Sequence, residues 1–503
     1  MIEYIEGTPR YQIHLFNECL DEIIDENNIV RFIDAYVESL DLEKLGFKVP
    51  AMKTGTSPYH PGVKLKIYIY GYLERIRSSR RLEKECNRNR ELIWLTENLS
   101  PDFKTIADFR KDNTKALKNL FKEFLKLCHK LELLSFKTVA IDGTKMRGQN
   151  SLNEVYRREQ MEKIEKEIQG KIENYLRELD EIDSIEQKSG VSVNKEKTEN
   201  ITNRLSKQMK RKDKIAFINQ IFENNPELKT YYATDEDSRL QSDKGKIRPG
   251  YNVQTAVDDK NKLIAVAEVT NEQNDKKQLS PMIEKVNEQK EELHIEDKTA
   301  VVADAGYFSE NEIMNNKDNE DFPIVVSPSA EGGPVVNSKN GKGKARPSAG
   351  YEVDNFTYDE ERDVYICPEN RELKRITKTP AIDCHGRETH RYRCDPGFCS
   401  LCPKRELCTN SEKGRMLRVS VNQKEILDYI ESLKNGRNKR LIGKRKEIVE
   451  HPFGTIKRSF GYTYFLLKGM EKVKGEFSLM CFVYNLKRVL NIVGINGLME
   501  AIK

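Results

Sequence analysis

Two apolar runs that each end in an aspartate constrain the fold of this 503-residue chain most strongly. Residues 139–141 precede Asp142 and a turn-forming Gly143 in "FKTVAIDGTKMRG", and "KTAVVADAGYFS" leads into Asp304 in the same way. Short apolar runs of this kind are typical of strands buried in a sheet. A carboxylate there is costly unless something compensates its charge. We therefore expect both side chains at one edge of a sheet, where they either cap turns or hold a cation.

The segments that follow predict a mixed sheet with helices on its faces. Two strand-like segments, "GYNVQTAVDD" and "KLIAVAEVT", are joined by turn-forming residues at 258–261 and predict a hairpin. The helical segment "QLSPMIEKVNEQ" comes next, and the run "FPIVVSPS" predicts a short strand after that of Asp304. Strands and helices in this order indicate the α/β class.

The first 135 residues predict a helical domain. Apolar residues recur there at helical spacing, and Pro61 stands where a helix would start. Ser78 and Ser79 break the pattern just before Arg80 and Arg81. Short helices with arginines at their turns suit a helix-turn-helix type of contact with DNA, so we assign residues 1–135 to DNA binding. A solvated helical face is the alternative.

The remaining boundaries follow from changes in composition. We expect residues 136–326 to form the first part of the sheet domain. An insertion within it, residues 151–230, has apolar residues three or four apart on two segments and predicts an antiparallel helical hairpin. Residues 327–423 begin near the Gly/Lys-rich "NSKNGKGKARPSAG", predicted to be a flexible loop, and become rich in cysteine. Long helices return in residues 424–503, which would complete the sheet domain.

The cysteines of this insertion have the spacing of a zinc site. Cys399 and Cys402 are two residues apart, as in a turn that presents two thiolates to Zn²⁺, and Cys408 follows. We expect Cys367 to be the fourth ligand, and its rivals are Cys384, His385, His390 and Cys394. Reduced thiols in a small core are the alternative, and disulfides are less expected because the chain has no secretory signal.

A third acidic residue lies near the C-terminus. In "KRKEIVEHPFGTIKRSFGY", Glu450 and Lys457 are seven residues apart, almost two helical turns, so their side chains would point the same way. A carboxylate that holds a metal and a lysine that holds a phosphate suit the chemistry of a phosphodiester. An ordinary surface pair is the alternative. Pro452 predicts that the helix bends or restarts near Glu450.

Taken in order, these segments resemble the bacterial insertion-sequence transposases of the DDE class, which have a ribonuclease-H-like catalytic core. The resemblance covers nearly the whole chain, and its pieces are "HPGVKLKIYIYGYLERIRSSRRLEKEC", "FRKDN", "AIDGTKMRG", "GYNVQTAVD", "VVADAGYFS", "EHPFGTIKR" and "LLKGMEKVKGEFSLMCFVYNLKRVL". It implies that Asp142, Asp304 and Glu450 form a metal-binding triad. Asp142 would bridge two Mg²⁺ (or Mn²⁺) ions, and the other two acids would each hold one.

The resemblance also implies a set of DNA contacts. This branch carries a Tyr-x2-Arg-x3-Glu-x6-Lys signature, in which Lys457 fits the lysine that steadies a phosphate. The arginine position falls on Lys446 and the tyrosine position on Gly443, so we expect Arg445 or Lys446 to replace the arginine. Further expected contacts to DNA come from the basic residues Arg458, Arg239 and Arg248.

Composition adds limits on partners and location. The net charge of +5 is too small to prove a nucleic-acid partner, and no stretch of eighteen apolar residues or signal peptide occurs. We expect a cytoplasmic, nucleoid-associated protein with no membrane contact. The resemblance implies that it binds double-stranded DNA at the element's terminal repeats and at the target, as a homodimer or larger assembly. The alternatives are a domesticated nuclease and a DNA-binding protein that has lost catalysis.

Overall fold

The computed structural model describes residues 19–48, 58–189, 195–243, 245–328, 351, 355–383 and 386–503. Cys384, His385 and the predicted loop "NSKNGKGKARPSAG" lie outside these ranges. The helices are α1 (Leu20–Ile23), α2 (Ile29–Ser39), α3 (Pro61–Leu73), α4 (Ser79–Cys86), α5 (Arg90–Leu95), α6 (Phe103–Asp112), α7 (Thr114–Lys130), α8 (Met161–Ser189), α9 (Lys195–Asn224), α10 (Leu279–Glu292), α11 (Glu310–Asn316), α12 (Pro396–Ser400), α13 (Arg405–Cys408), α14 (Gln423–Ser432), α15 (Gly436–Gly454) and α16 (Met470–Ala501).

Three sheets accompany these helices. Their strands are β1 (Thr138–Arg147), β2 (Val155–Arg157), β3 (Thr230–Tyr232), β4 (Arg239–Asp243), β5 (Lys246–Asp258), β6 (Ile264–Thr270), β7 (Ala300–Ala303), β8 (Ile324–Val326), β9 (Thr357–Asp359), β10 (Val364–Ile366), β11 (Glu372–Arg375), β12 (Ala381–Ile382), β13 (Glu388–Cys394) and β14 (Met416–Ser420).

The central sheet is mixed. Its strands run in the order β4-β5-β1-β7-β8, and β6 also pairs with β5. The pairs of β5 with β1, β4 and β6 are antiparallel, whereas β1–β7 and β7–β8 are parallel. The predicted hairpin of "GYNVQTAVDD" and "KLIAVAEVT" is the pair β5–β6. This α/β arrangement is consistent with the expected ribonuclease-H-like core.

The prediction that a strand ends in a turn at Asp142 and Gly143 is wrong. Strand β1 continues to Arg147, because the long strand β5 pairs with it throughout, from Val139 opposite Asp258 to Arg147 opposite Gly250. Only the parallel neighbour β7 stops at this level, immediately before Asp304. Asp142 therefore lies within a paired strand, on a rigid part of the sheet.

One hydrophobic core joins the N-terminal helices to the sheet. Helix α16 packs on α7, α3, α2 and β6, and their buried side chains form a single cluster. Helix α3 begins at Pro61, as predicted. By length and composition α16 is the one helix among the described residues that could cross a membrane, but 56% of its apolar window is buried inside the protein. Such burial fits a core helix.

The two insertions have small cores of their own. Helices α8 and α9 form the predicted antiparallel hairpin around a cluster that includes Ile168, Ile172, Ile215 and Ile218, and the pair β2–β3 closes its base. The Cys-rich insertion forms a six-stranded antiparallel sheet in the order β12-β13-β11-β10-β9, with β14 beside β13. The sequence did not predict this sheet, because most of its strands are only two to five residues long.

Candidate active site

Two predicted acidic residues lie side by side on the central sheet. The parallel register pairs Ile141 on β1 with Ala303 on β7, so Asp142 and Asp304 are the next residues on neighbouring strands. The Asp142 carboxylate accepts a hydrogen bond from the N–H of Gly143 at 2.9 Å. Asp304 caps a short 3₁₀ turn at Ala305–Tyr307 and accepts from the N–H of Gly306 at 2.7 Å. Both carboxylates retain free lone pairs.

The charge of this pair is poorly compensated. Burial, followed by the charge of Asp304, raises the pKa of Asp142 to about 6, and Asp275 adds to the effect. The Gly143 N–H and the guanidinium of Arg445 oppose the increase. Two carboxylates that repel each other in a partly buried site favour either protonation or a divalent cation with oxygen ligands.

A third aspartate, which sequence reasoning missed, lies near the pair. Asp275 follows β6, and its Oδ1 accepts hydrogen bonds from Asn252 Nδ2 at 2.6 Å, Gln254 Nε2 at 2.8 Å and Lys145 Nζ at 3.4 Å. The Tyr307 hydroxyl donates to Oε1 of Gln254. The polar segment "NEQNDKKQ" around Asp275 has no periodicity that could have revealed it.

The helix with the third predicted acid packs against the same strands. Helix α15 lies on β1, β7 and β8, with Ile448, Val449 and Pro452 buried. Glu450 is exposed, and it makes no hydrogen bond or ion pair with the described residues. The structure therefore brings Arg445 within electrostatic range of Asp142, but no contact joins Glu450 to either aspartate.

The helix does not restart near Glu450, since α15 is continuous through Pro452 to Gly454, and the alternative of a bend there stays a prediction. The irregularity comes later, as a π-helical turn at Thr455–Ser459. Such wider turns in helices often occur at functional sites. This one carries Lys457, whose Nζ donates to Thr144 Oγ1 at 2.5 Å and to the carbonyl of Lys145 at 2.7 Å. The ammonium group thus lies against β1, a few residues beyond Asp142.

Comparisons with known proteins agree with these features. Residues 366–490 match the transposase DDE domain family, and residues 18–112 match the transposase domain family DUF772. The chain belongs to the insertion-sequence DDE transposases. No curated protein matches the sequence. As a transposase it belongs to a class of enzymes that cut and transfer DNA. The first match includes Glu450 and Lys457, whereas Asp142 and Asp304 lie outside both.

The transposase has no preformed metal site in the part of the chain that the structure describes. Among those residues, no three His, Cys, Asp or Glu side chains are grouped so that they could hold an ion. The aspartate pair supplies oxygen ligands and an excess of negative charge, which fit Mg²⁺ or Mn²⁺. The donor set is thus chemically suitable, but Glu450 does not complete it in this arrangement.

The predicted DNA-binding side chains of the transposase occupy several surfaces. Arg80, Arg81, Arg248, Lys446 and Arg458 are exposed. The guanidinium of Arg80 lies over the Phe103 ring, and Arg81 is 3.7 Å from the Glu85 carboxylate.

Arg239 differs from the other predicted DNA contacts because its guanidinium is hydrogen-bonded to the protein backbone. Its Nη1 donates to the carbonyls of Glu236 and Ser238. Another arginine of the N-terminal helices, Arg77, is buried and donates to the Tyr464 carbonyl at 2.7 Å, so its role is structural.

The cysteines of the insertion lie around a small cavity of about 30 Å³. Its lining includes all five predicted or rival thiols that the structure describes there, namely Cys367, Cys394, Cys399, Cys402 and Cys408. Backbone N–H groups of Arg371 and Arg415 donate to the sulfurs of Cys367 and Cys399 at 3.2 and 3.4 Å. All the cysteines in the described ranges are free thiols. The five sulfurs lie around the same cavity, but among the described residues no three of them are grouped closely enough to hold an ion.

Proposed function

We propose that this transposase hydrolyses DNA at the ends of an insertion sequence and transfers those ends to new DNA, using Asp142, Asp304 and Glu450. The observation that carries the proposal is the parallel register that sets Asp142 beside Asp304, where burial and the charge of Asp304 raise the pKa of Asp142. Repulsion between the carboxylates of Asp142 and Asp304 does not stabilise the fold. The pair is therefore better explained as a site for cations than as two turn caps.

The chain's own residues would each perform a limited task. Two divalent ions, when bound, would supply an activated oxygen nucleophile and charge stabilisation for the leaving oxygen. Asp142 and Asp304 would hold the ions from the rigid sheet. Glu450 would approach from α15, which packs over both aspartate strands and leaves this carboxylate unengaged by described residues.

Basic side chains near the aspartates would position the DNA. Lys457 lies against β1 and would exchange contacts with that strand for a phosphate oxygen. Arg445 is close enough to affect the pKa of Asp142 and would hold a neighbouring phosphate, with Lys446 and Arg458 exposed on the same segment. Together these cations would orient the scissile bond over the carboxylates.

More distant basic residues would bind flanking DNA. We assign this role to Arg80 and Arg81 on α4, and to Arg239 and Arg248 on the β4–β5 hairpin. Terminal repeats and target DNA are double-stranded, and holding two element ends together would take a homodimer or a larger assembly. Phosphate contacts of this kind would make binding strongly dependent on salt concentration.

The decisive experiment separates a transposase from its two alternatives. Purified protein is incubated with a duplex that carries the element's terminal repeat, with Mg²⁺ and a circular target. We expect cleavage at the repeat and joining of the new 3′-hydroxyl to the target. Cleavage without joining would instead support a domesticated nuclease, and binding without cleavage would support a protein that has lost catalysis.

We also propose a structural Zn²⁺ site in the Cys-rich insertion, with Cys367, Cys399, Cys402 and Cys408 as ligands. Five thiols around one cavity, two of which accept backbone N–H bonds, support it. Cys394, buried on β13, is the remaining rival. Zinc would stabilise the sheet of this insertion, whose hydrophobic core is small.

Elemental analysis of the purified protein tests the zinc proposal. We expect one zinc ion per chain, lost in Cys402→Ser and retained in the control Cys19→Ser, whose thiol is exposed and outside the insertion. If zinc is retained in Cys402→Ser and lost in Cys394→Ser, Cys394 is a ligand in place of Cys402. Absence of zinc from the unaltered protein would refute the site.

A further inference from the structure

A buried hydrogen-bond network joins the turn of Asp304 to strand β5, which pairs with the strand of Asp142. Tyr307, Gln254 and Asn252 are almost completely inaccessible to solvent. Tyr307 donates to Gln254, and Gln254 donates both to Asn252 Oδ1 at 3.0 Å and to Asp275 Oδ1 at 2.8 Å. Tyr307 belongs to the 3₁₀ turn that Asp304 caps, whereas the other two residues lie on β5.

The Asp275 carboxylate fixes the direction of every bond in this network. A carboxylate only accepts hydrogen bonds, so Gln254 must present its amide N–H to Asp275. The amide oxygen of Gln254 then points to Tyr307, whose hydroxyl must donate. Burial and the charges of Asp275, Asp142 and Asp304 raise the pKa of Tyr307 well above its usual value, so the hydroxyl stays protonated.

The backbone at Gly143 leaves room for the side chains of this network. A Cβ at Gly143 would lie 2.4 Å from Gln254 Nε2 and 3.0 Å from the Tyr307 hydroxyl. The absence of a side chain at Gly143, directly after Asp142, therefore lets both groups reach β1. Because Lys145 of β1 also donates to Asp275, the network links the turn of Asp304 to the strand of Asp142 without using either proposed metal-binding carboxylate.

We propose that Asp275 is a positioning residue, which holds Gln254 and, through it, Tyr307, and so fixes the turn that places Asp304 beside Asp142. The inference rests on the proposed role of that aspartate pair. Side chains that orient metal-binding carboxylates commonly change metal affinity or activity by about 10- to 100-fold when they are altered. Asp275 Oδ1 already accepts three hydrogen bonds, which suits an anchor for other side chains.

Mn²⁺ binding, measured as free ion by electron paramagnetic resonance, tests this role directly. We expect Asp275→Ala, which removes the acceptor oxygen, and Tyr307→Phe each to weaken Mn²⁺ binding by about 10-fold. The double variant should be no weaker than Asp275→Ala alone, because both changes break one chain of contacts. The control Asp318→Ala removes an exposed carboxylate elsewhere and should bind Mn²⁺ normally.

Two results would overturn the inference. Unchanged Mn²⁺ binding in Asp275→Ala would show that the network does not position the pair, and additive losses in the double variant would show that Asp275 acts independently of Tyr307. If Asp275→Ala fails to fold, Tyr307→Phe, which removes a single oxygen atom, carries the same test. Asp142→Ala distinguishes the two proposals, since unaltered Mn²⁺ binding and cleavage in that variant would refute the proposed function itself.

Discussion

At the scale of single residues, the carboxylates proposed to bind metal ions also destabilise the folded protein by their repulsion and burial. Asp142 is fixed within a paired strand next to Asp304, and its ionised form is disfavoured by burial and repulsion. Because the folded pKa of about 6 exceeds the ordinary value of 3.8, the native state binds more protons than the unfolded chain between these values. Stability is therefore lost as pH rises through this window, and the penalty is complete above it.

Replacing Asp142 with asparagine should stabilise the metal-free protein at neutral pH. We expect Asp142→Asn to raise the free energy of unfolding by on the order of 2 kcal/mol at pH 7.5 in EDTA, with about half that gain at pH 5. Urea denaturation at the two pH values measures both. The control Asp318→Asn should show neither gain, and a destabilised Asp142→Asn at pH 7.5 would contradict the electrostatic account.

The sequence revealed some of these residues and not others. Asp142 and Asp304 follow apolar runs, which predicts their proximity, and the structure brings them together. Asp275 lies in a polar loop, and its partners on β5 come from a distant part of the chain, so only the folded arrangement reveals the network. The role of Glu450 stays a prediction, because local sequence gives its place on a helix but not its distance from the sheet.

At the scale of elements, close backbone contact limits what the helices tolerate. Helices α7 and α16 cross at Gly475, where a Cβ would lie 2.5 to 2.7 Å from the Cβ, carbonyl oxygen and Cα of Thr114. Two of these atoms belong to the backbone and cannot rotate away. The sequence predicts long helices in residues 424–503, but it could not predict that Gly475 allows this contact.

Gly475→Ala should destabilise the protein although alanine favours helices. We expect a loss of about 1–3 kcal/mol from overpacking, measured by thermal or urea unfolding. The control Gly170→Ala makes the same change in α8, where nothing lies within 4 Å of the new Cβ, and should be neutral or slightly stabilising. If Gly475→Ala and Gly170→Ala are equally stable, helices α7 and α16 can move apart at Gly475 without loss of stability.

The α8–α9 hairpin should be removable without unfolding the remainder. Its buried cluster is separate from the main core, and β2 and β3 pair at its base. Replacing residues 161–224 with a short Gly/Ser turn should leave the main thermal transition nearly unchanged, by calorimetry. A large decrease in that transition would mean that the hairpin supports the catalytic core.

At the scale of the whole molecule, the mixed sheet and the helix α15 bring together residues from three distant parts of the chain. The resemblance of ordered segments to DDE transposases is confirmed by matches to two transposase families. The sheet of the Cys-rich insertion was not predicted, since its short strands gain stability from pairing rather than from local pattern. What unites these parts is the proposed convergence of Asp142, Asp304 and Glu450 on divalent ions.

Mg²⁺-dependent cleavage of a terminal-repeat duplex by single variants tests that convergence most directly. We expect Asp142→Ala, Asp304→Ala and Glu450→Ala each to bind the duplex normally and to lose cleavage by at least about 10³-fold, as for groups that act as one unit. The control Glu447→Ala, one helical turn from Glu450 and paired among the described residues with Lys262, should cleave normally. Near-normal cleavage by any of the three variants would contradict the triad.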